Sequence, residues 1–119
     1  MTRSNKAIVL EVLRRAFIDR DPTVVEQLFD TNYKQHNPQI PDGPSAIAKL
    51  IPTLTALKYE PGMTVAEGDL VMVHGRYTGW GPKPMVAVDI FRVKDGRVVE
   101  HWDVLQVVPA ASANGNTMF

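Results

Sequence analysis

Apolar residues recur with a helical period over the first half of the chain. Spacings of three and four place them on one face of each of three predicted helices. Ser4 can cap the first helix, Asp21 and Pro22 begin the second, and Pro44 begins the third. The predicted buried positions are Val9, Val12, Leu13, Ala16 and Phe17 in the first helix, Val25, Leu28 and Phe29 in the second, and Ile47, Leu50, Ile51 and Leu54 in the third.

The segment between the second and third helices is predicted to be irregular, because Pro38 disfavours a helical conformation at Asn37. Tyr33 and His36 lie in this segment. Loops that follow helices often carry pocket residues, so both are candidates for binding a substrate. A single loop histidine is nevertheless more often a solvated side chain.

In the second half of the chain the apolar period changes to alternation, which predicts strands. Residues 85–107 contain two strands joined by Asp95 and Gly96, a pair typical of a type I′ hairpin turn because both residues tolerate positive φ. Helices followed by a run of strands predict an α+β fold, with an antiparallel sheet that carries the helices on one face. A curved sheet closed by helices is a common place for a small-ligand pocket.

Composition narrows the class of protein. The 119 residues, 45% of them hydrophobic, are enough for one domain with a core. Residues 1–109 are predicted to form that single domain, and the small polar residues 110–119 a flexible tail. With 13 basic and 13 acidic residues, neither nucleic acid nor a membrane surface is an expected partner.

The absence of cysteine excludes disulfides, thiolate metal sites and a cysteine nucleophile. It is consistent with a cytoplasmic protein. The N-terminus is interrupted by Arg14 and Arg15 and so lacks the apolar core of a signal peptide, and no apolar run approaches the length of a transmembrane helix.

Three predicted strands carry ionisable side chains among apolar neighbours. Burial of a carboxylate among such neighbours disfavours its ionised form and makes it a stronger base. If the three faces share one cavity, they form an acid–base site in which the buried carboxylate removes a proton α to a carbonyl and a histidine orients it or stabilises the enolate. The candidates are His74 and Arg76 on one strand, Asp89 beside Phe91 on the next, and His101 and Asp103 on the last.

The same residues have structural interpretations. Asp89 could pair with Arg76 or Arg92. His74 could be an interior histidine whose hydrogen bonds are satisfied. Asp103 could fix a histidine tautomer instead of reacting.

His101 could lie at the rim of a pocket and bond only Asp103. Trp102 falls on the opposite face of its strand and is more typical of a core or a dimer interface than of a ligand site. Trp80, on a loop, is a candidate to line the pocket.

Known motifs for metals and cofactors are absent. No two histidines have a metal-ligand spacing, and HExxH does not occur, so no metal site is predicted. The glycine motifs of nucleotide-binding proteins and the GxSxG motif of hydrolases are also missing, so we expect no cofactor and no serine nucleophile.

Three segments resemble the SnoaL-like polyketide cyclase family of the nuclear transport factor 2-like superfamily: YKQHNP at 33–38, VHGRYTG at 73–79 and VDIFRVKDGRVVEHWDVLQ at 88–106. The resemblance covers nearly the whole chain. It implies a cone-shaped, curved antiparallel sheet wrapped by about three N-terminal helices, and a homodimer formed through the sheet.

The resemblance also implies a reaction. Polyketide cyclases of this family perform cofactor-free aldol condensation with an aspartate on a pocket strand and a nearby histidine. Asp89 and His74 are the best matches for these two residues, and His36 and His101 match positions near the pocket.

Together, these inferences favour a cofactor-independent acid–base enzyme that cyclises or isomerises a small carbonyl or polyketide-like compound. A non-catalytic small-ligand-binding protein is the alternative, and a dimeric interaction module that uses Trp102, Val104 and Gln106 is a third hypothesis. The predicted catalytic residues are Asp89, His74, His101 and Asp103, and the predicted substrate-binding residues are Tyr33, His36, Arg76, Trp80 and Phe91.

Overall fold

One five-stranded sheet organises the protein, which a computed structural model describes over residues 3–119. None of the described helices is long and apolar enough to cross a membrane. A π-helical turn, Arg14–Ile18, continues the first helix, and a 3₁₀ turn, Ile51–Thr53, continues the third. The helices are α1 Asn5–Leu13, α2 Thr23–Leu28 and α3 Pro44–Leu50, and the strands are β1 Phe29–Gln35, β2 Lys58–Glu67, β3 Leu70–Thr78, β4 Met85–Lys94 and β5 Arg97–Val107.

The helices begin where their capping residues lie. The Ser4 hydroxyl accepts a hydrogen bond from the Ala7 backbone at 3.1 Å, which satisfies one free N–H of α1. The Asp21 carboxylate does the same for Thr23 at the start of α2. Pro44 occupies the first turn of α3, where its missing N–H leaves no bond unmade. The three predicted helices are therefore confirmed.

The sheet order is β1-β5-β4-β3-β2, and β2 to β5 form an antiparallel meander. Asp95 and Gly96 both have positive φ, 51° and 78°, as the predicted hairpin turn requires. A bulge near Arg92 leaves Val99 as an extra residue of β5. Val98 and His101 therefore both face the core, although they are three residues apart in the strand.

Strand β1 was not predicted. The sequence predicts that Phe29 belongs to the second helix and that a loop follows it, because no glycine or proline separates the two elements. In the structure β1 pairs in parallel with β5, with Gln35 opposite His101. The α+β class is confirmed, but the sheet is mixed and not wholly antiparallel.

The inner face of β3 is the opposite of the predicted one. Val71, Val73 and Tyr77 are buried against the helices, while His74 and Arg76 point to the outer face. Both rows of β3 contain apolar residues, so alternation alone left the choice open. The row with the β-branched residues is buried, because it packs closely on the helices.

The last residues return to this outer face. Residues 108–119 contain no helix or strand, and most of their side chains are exposed. The Phe119 ring stacks on His74 with centroids 5.8 Å apart, and the Arg76 guanidinium carbon lies 4.7 Å from the same ring centroid. The end of the segment predicted to be a flexible tail is thus in contact with the sheet.

Candidate functional site

A small cavity lies between the helices and the inner face of the sheet. Its volume is about 50 Å³. One water needs roughly 10–15 Å³ measured in this way, so the space corresponds to about four water-sized groups. Its apolar walls include Phe17, Phe29, Ile47, Ile51, Trp80 and Phe91, and its polar walls include Tyr33, Gln35, Asn37, Tyr77, Asp89, His101 and Asp103.

Asp89 is the most deeply buried acid of the cavity wall, with 3% of its surface exposed. Its Oδ1 lies 2.8 Å from Nε2 of His101, and its Oδ2 accepts a hydrogen bond of 2.7 Å from the Tyr77 hydroxyl. A buried carboxylate is costly unless it is hydrogen-bonded, and these two contacts meet that requirement.

A glycine beside these contacts makes room for an aromatic ring. Gly75 and Ala87 pair across β3 and β4, between Tyr77 and Asp89. The Tyr59 ring occupies the space over Gly75, where an added Cβ would lie only 2.6 Å from that ring. Burial, and then the negative charge of Asp89, raise the pKa of Tyr77 well above its ordinary value, so its hydroxyl stays a neutral donor.

Asp103 is a second acid in the cavity wall, beside Asp89 and His101. Nδ2 of Asn37 donates to both of its carboxylate oxygens, at 3.1 and 2.9 Å. The Gln39 backbone N–H donates to the Asn37 side-chain oxygen and so fixes the orientation of the amide. Burial raises the pKa of Asp103, although the Asn37 hydrogen bond and His101 oppose this effect.

Gln35 joins the two sides of the site. Its Nε2 donates to the Tyr33 hydroxyl oxygen at 2.8 Å, and its Oε1 lies 2.7 Å from Nδ1 of His101. Burial, and then Asp103, Asp89 and Asp42, raise the pKa of Tyr33, so its hydroxyl keeps its hydrogen. Within residues 3–119 that hydroxyl only accepts a hydrogen bond, which leaves its hydrogen available to a ligand in the cavity.

This arrangement suits proton transfer. Asp89 can accept a proton from a bound molecule, and Tyr33 can stabilise negative charge that develops on an oxygen. Atoms of Asp89, His101 and Asp103 lie within 4.8 Å of one another, close enough to surround a cation. However, the 2.8 Å contact between His101 and Asp89 has hydrogen-bond geometry, so we assign no metal site.

The structure brings six of the predicted site residues together. Their functional roles stay predictions. Tyr33 lies on β1, Trp80 follows β3, and the other four lie on the two strands of the hairpin. The six residues that line the cavity are Tyr33, Trp80, Asp89, Phe91, His101 and Asp103.

The other three predicted site residues lie elsewhere, so their placement in the pocket was wrong. His74 and Arg76 are on the outer face of β3, beside Phe119. The His36 ring stacks on Trp102 with centroids 4.7 Å apart, and its Nε2 bonds Glu100 at 2.6 Å. His36 follows Gln35 directly and therefore points the opposite way.

Sequence reasoning missed Gln35, Asn37 and Tyr77. Tyr33, Gln35 and Asn37 are spaced two residues apart, which is the spacing of a strand that presents one face to a pocket. Tyr77 lies in the same row of β3 as Val71 and Val73. Both signals were present in the sequence.

Three helices on a mixed sheet, with a cavity between them, define the nuclear transport factor 2-like fold. The chain belongs to the SnoaL-like domain family, whose model matches residues 9–101. The resemblance of the three sequence segments is thereby confirmed. A search of the curated proteins found no match.

Solved structures support the same fold at low sequence identity. A nuclear transport factor 2-like protein of unknown function from Cytophaga hutchinsonii is 16% identical, with a TM-score of 0.75 over 89% of this chain and 93% of that one. A proposed polyketide cyclase from Bacillus cereus is 20% identical, with a TM-score of 0.66 over 82% and 74%. An LEH-like epoxide hydrolase from M. tuberculosis is 18% identical, with a TM-score of 0.68 over 86% and 82%.

Proposed function

We propose that the protein is a cofactor-independent acid–base enzyme that moves a proton on a small carbonyl or polyketide-like compound, by isomerisation or aldol cyclisation. The observation that carries this proposal is the buried Asp89 carboxylate, held by Tyr77 and His101 on the wall of an apolar cavity. Low identity to the polyketide cyclase and the epoxide hydrolase limits their support to the shared fold.

In the proposed reaction Asp89 takes a proton from the carbon next to a carbonyl. The electron pair of that C–H bond forms the enolate, and the Tyr33 hydroxyl donates a hydrogen bond to the enolate oxygen. In an isomerisation the proton returns to another carbon. In an aldol cyclisation the enolate carbon attacks a second carbonyl of the same molecule, and the resulting alkoxide takes the proton.

The size of the cavity narrows the substrate. About 50 Å³ fits a compound of a few heavy atoms, or one end of a longer molecule. Apolar side chains cover most of the wall, so the reacting group is expected to be dehydrated when it is bound. We therefore favour a small ketone or β-keto ester over a polycyclic substrate.

The test is exchange of α-protons into deuterated buffer, followed by NMR, for a panel of ketones and β-keto esters. Asp89→Asn keeps the shape of the side chain and removes the base, so exchange is expected to fall by roughly 10²- to 10⁴-fold. Asp95→Asn, in the exposed hairpin turn, is the matched control and should exchange at the wild-type rate. Equal exchange in Asp89→Asn and the wild type would remove Asp89 from the mechanism.

Non-catalytic binding of a small ligand is the second candidate. It is favoured by the completeness of the hydrogen bonds, since both oxygens of Asp89 and both ring nitrogens of His101 already have partners in the protein. This function predicts that a ligand raises the melting temperature of Asp89→Asn as much as that of the wild type. Loss of the ligand effect in a folded Asp89→Asn protein would count against it.

We further propose a cytoplasmic homodimer formed through the outer face of the sheet. Met72 and Val104 are 37% and 69% exposed on that face, near the partly exposed Trp102. Apolar side chains at such exposure are typical of an interface. Sedimentation over a range of concentrations tests the dimer, and a Val104→Lys protein is expected to be monomeric.

A further inference from the structure

The hydrogen bonds around Gln35 fix the orientation of its side-chain amide. The backbone N–H of Asn37 donates to Oε1 at 3.0 Å, and a backbone N–H can only donate. The atom at this position is therefore the amide oxygen. This assignment also directs the amide nitrogen towards the Tyr33 hydroxyl, which accepts its hydrogen bond.

The oxygen of Gln35 in turn fixes a hydrogen on His101. Oε1 lies 2.7 Å from the imidazole Nδ1, and an amide oxygen can only accept. Nδ1 must therefore carry the hydrogen of this bond. In a neutral imidazole the other ring nitrogen, Nε2, would then have only a lone pair.

That lone pair would face a carboxylate. Nε2 lies 2.8 Å from Oδ1 of Asp89, and two lone pairs at this distance repel, so a hydrogen must lie between the two atoms. The Tyr77 hydroxyl already donates to the other oxygen of Asp89, which favours the ionised carboxylate. A second carboxylate oxygen, Oδ2 of Asp103, is 3.9 Å from the same nitrogen.

We propose that Gln35 is a positioning residue that holds His101 as an imidazolium, which donates from Nδ1 to Gln35 and from Nε2 to Asp89. The titratable groups around the ring come from four strands. Tyr33 on β1 and Tyr77 on β3 are neutral, and Asp89 on β4 and Asp103 on β5 are the two acids that face the cation. Glu100 lies on the other face and bonds His36 and Arg92.

For its catalytic consequence this inference rests on the proposed function. With both ring nitrogens engaged, His101 does not exchange a proton with the substrate. Its hydrogen bond holds the Asp89 carboxylate in place to accept one, and its positive charge remains next to the enolate after the transfer. Asp89 thereby acts as the base, and Gln35 acts on the reaction only through His101.

Nitrogen-15 NMR of histidine-labelled protein tests the proposal without any substrate. The chain has three histidines, and His36→Gln and His74→Gln proteins assign the signals. At about pH 8, above the ordinary histidine pKa of about 6.5, both nitrogens of His101 are expected to carry a hydrogen. A wild-type spectrum with an unprotonated Nδ1, or with an unprotonated Nε2, would overturn the proposal.

Three variants then test the part played by Gln35. Gln35→Met has a similar length but no acceptor, so the ratio of protonated to unprotonated Nδ1 should fall by roughly 10-fold. Gln35→Glu restores an acceptor oxygen and should restore the hydrogen. Gln39→Met makes the same change at a nearby exposed residue whose side chain makes no hydrogen bond in the described chain, and it should leave His101 unchanged.

An unchanged His101 in a folded Gln35→Met protein would show that Gln35 does not position the proton. If that variant does not fold, the wild-type spectrum still decides whether the imidazolium exists. The outcome is also separable from the proposed function. A doubly protonated His101 without any α-proton exchange would support the inference and refute the proposed enzyme activity. Exchange by a protein whose His101 carries only one hydrogen would support the enzyme activity and refute the inference.

Discussion

Strands β3, β4 and β5 carry polar side chains on both faces of the sheet, but the two faces place these side chains in different environments. On the inner face Asp89 and His101 are 3% and 7% exposed, and the hydrogen bonds of each side chain are to other side chains of the cavity wall. On the outer face His74 and Arg76 lie against Phe119 and remain open to water. Residue type does not separate the two groups. What separates them is parity along the strand, because alternate side chains enter different environments.

Adjacent residues on opposite faces test this contrast most strongly at Phe91 and Ile90. Phe91 is 4% exposed and packs on the His101 ring, with centroids 4.7 Å apart. Phe91→Ala should lower the free energy of unfolding by about 3–5 kcal/mol. Ile90→Ala, on the partly exposed outer face, should lower it by roughly 1 kcal/mol. Chemical denaturation of both variants measures the difference.

The Ile90→Ala variant also tests the proposed dimer. If a second copy covers the outer face, the cost of Ile90→Ala will grow with protein concentration, because dissociation is coupled to unfolding. A cost for Ile90→Ala that equals that of Phe91→Ala at every concentration would contradict the contrast between the faces.

A smaller effect is expected at Gly75 and His74, which are also neighbours. An alanine Cβ at Gly75 would lie 2.6 Å from the Tyr59 ring, so the ring must move. Gly75→Ala should cost about 1–3 kcal/mol of unfolding free energy through overpacking. His74→Ala should stay within about 0.5 kcal/mol of the wild type. Thermal denaturation of the two proteins provides the measurement, and a neutral Gly75→Ala would mean that the inner face is looser than its packing indicates.

The smallest effect concerns two acids of β5 and the sign of their pH dependence. Burial raises the pKa of Asp103, so over the range between its unfolded and folded values the native state binds more protons than the unfolded state. Its contribution to stability therefore falls as pH rises through that range. The His36 hydrogen bond lowers the pKa of Glu100 against the opposing effect of burial, so its contribution rises with pH and is complete above its unfolded value.

Asp103→Asn and Glu100→Gln should consequently shift the stability curve in opposite directions. As the pH rises from about 3 to about 7, the stability of Asp103→Asn should increase relative to that of the wild type, and the stability of Glu100→Gln should decrease relative to it. Denaturant titrations at several pH values follow both differences. Shifts of the same sign would mean that the two faces do not impose opposite environments on their acids.

The sequence was sufficient for the features that depend on local chemistry. Capping by Ser4, the hairpin turn at Asp95 and Gly96, and the shared inner face of His101 and Asp103 were all predictable, because each depends on neighbouring residues. The α+β class followed from a helical period of apolar residues in the first half of the chain and alternation in the second half. The segment at residues 88–106 identified the family.

The features that were missed depend on partners distant in sequence. No glycine or proline marks the end of α2 at Phe29, and its pairing partner, Val98, lies far along the sequence. Which face of β3 is buried likewise depends on the helices, which cover Val73 and leave His74 on the outer face. With β1 unrecognised, Gln35 and Asn37 could not be placed beside His101 and Asp103.

The site combines contacts within one hairpin with contacts between β1 and β5, which are much farther apart in sequence. Asp89 and His101 are 12 residues apart and meet within one hairpin, whereas Gln35 and His101 are 66 residues apart. Closing the longer loop costs more chain entropy, so the hairpin half of the site should assemble before β1 docks in parallel on β5. Substitutions at Gln35 are therefore expected to accelerate unfolding while leaving the folding rate nearly unchanged.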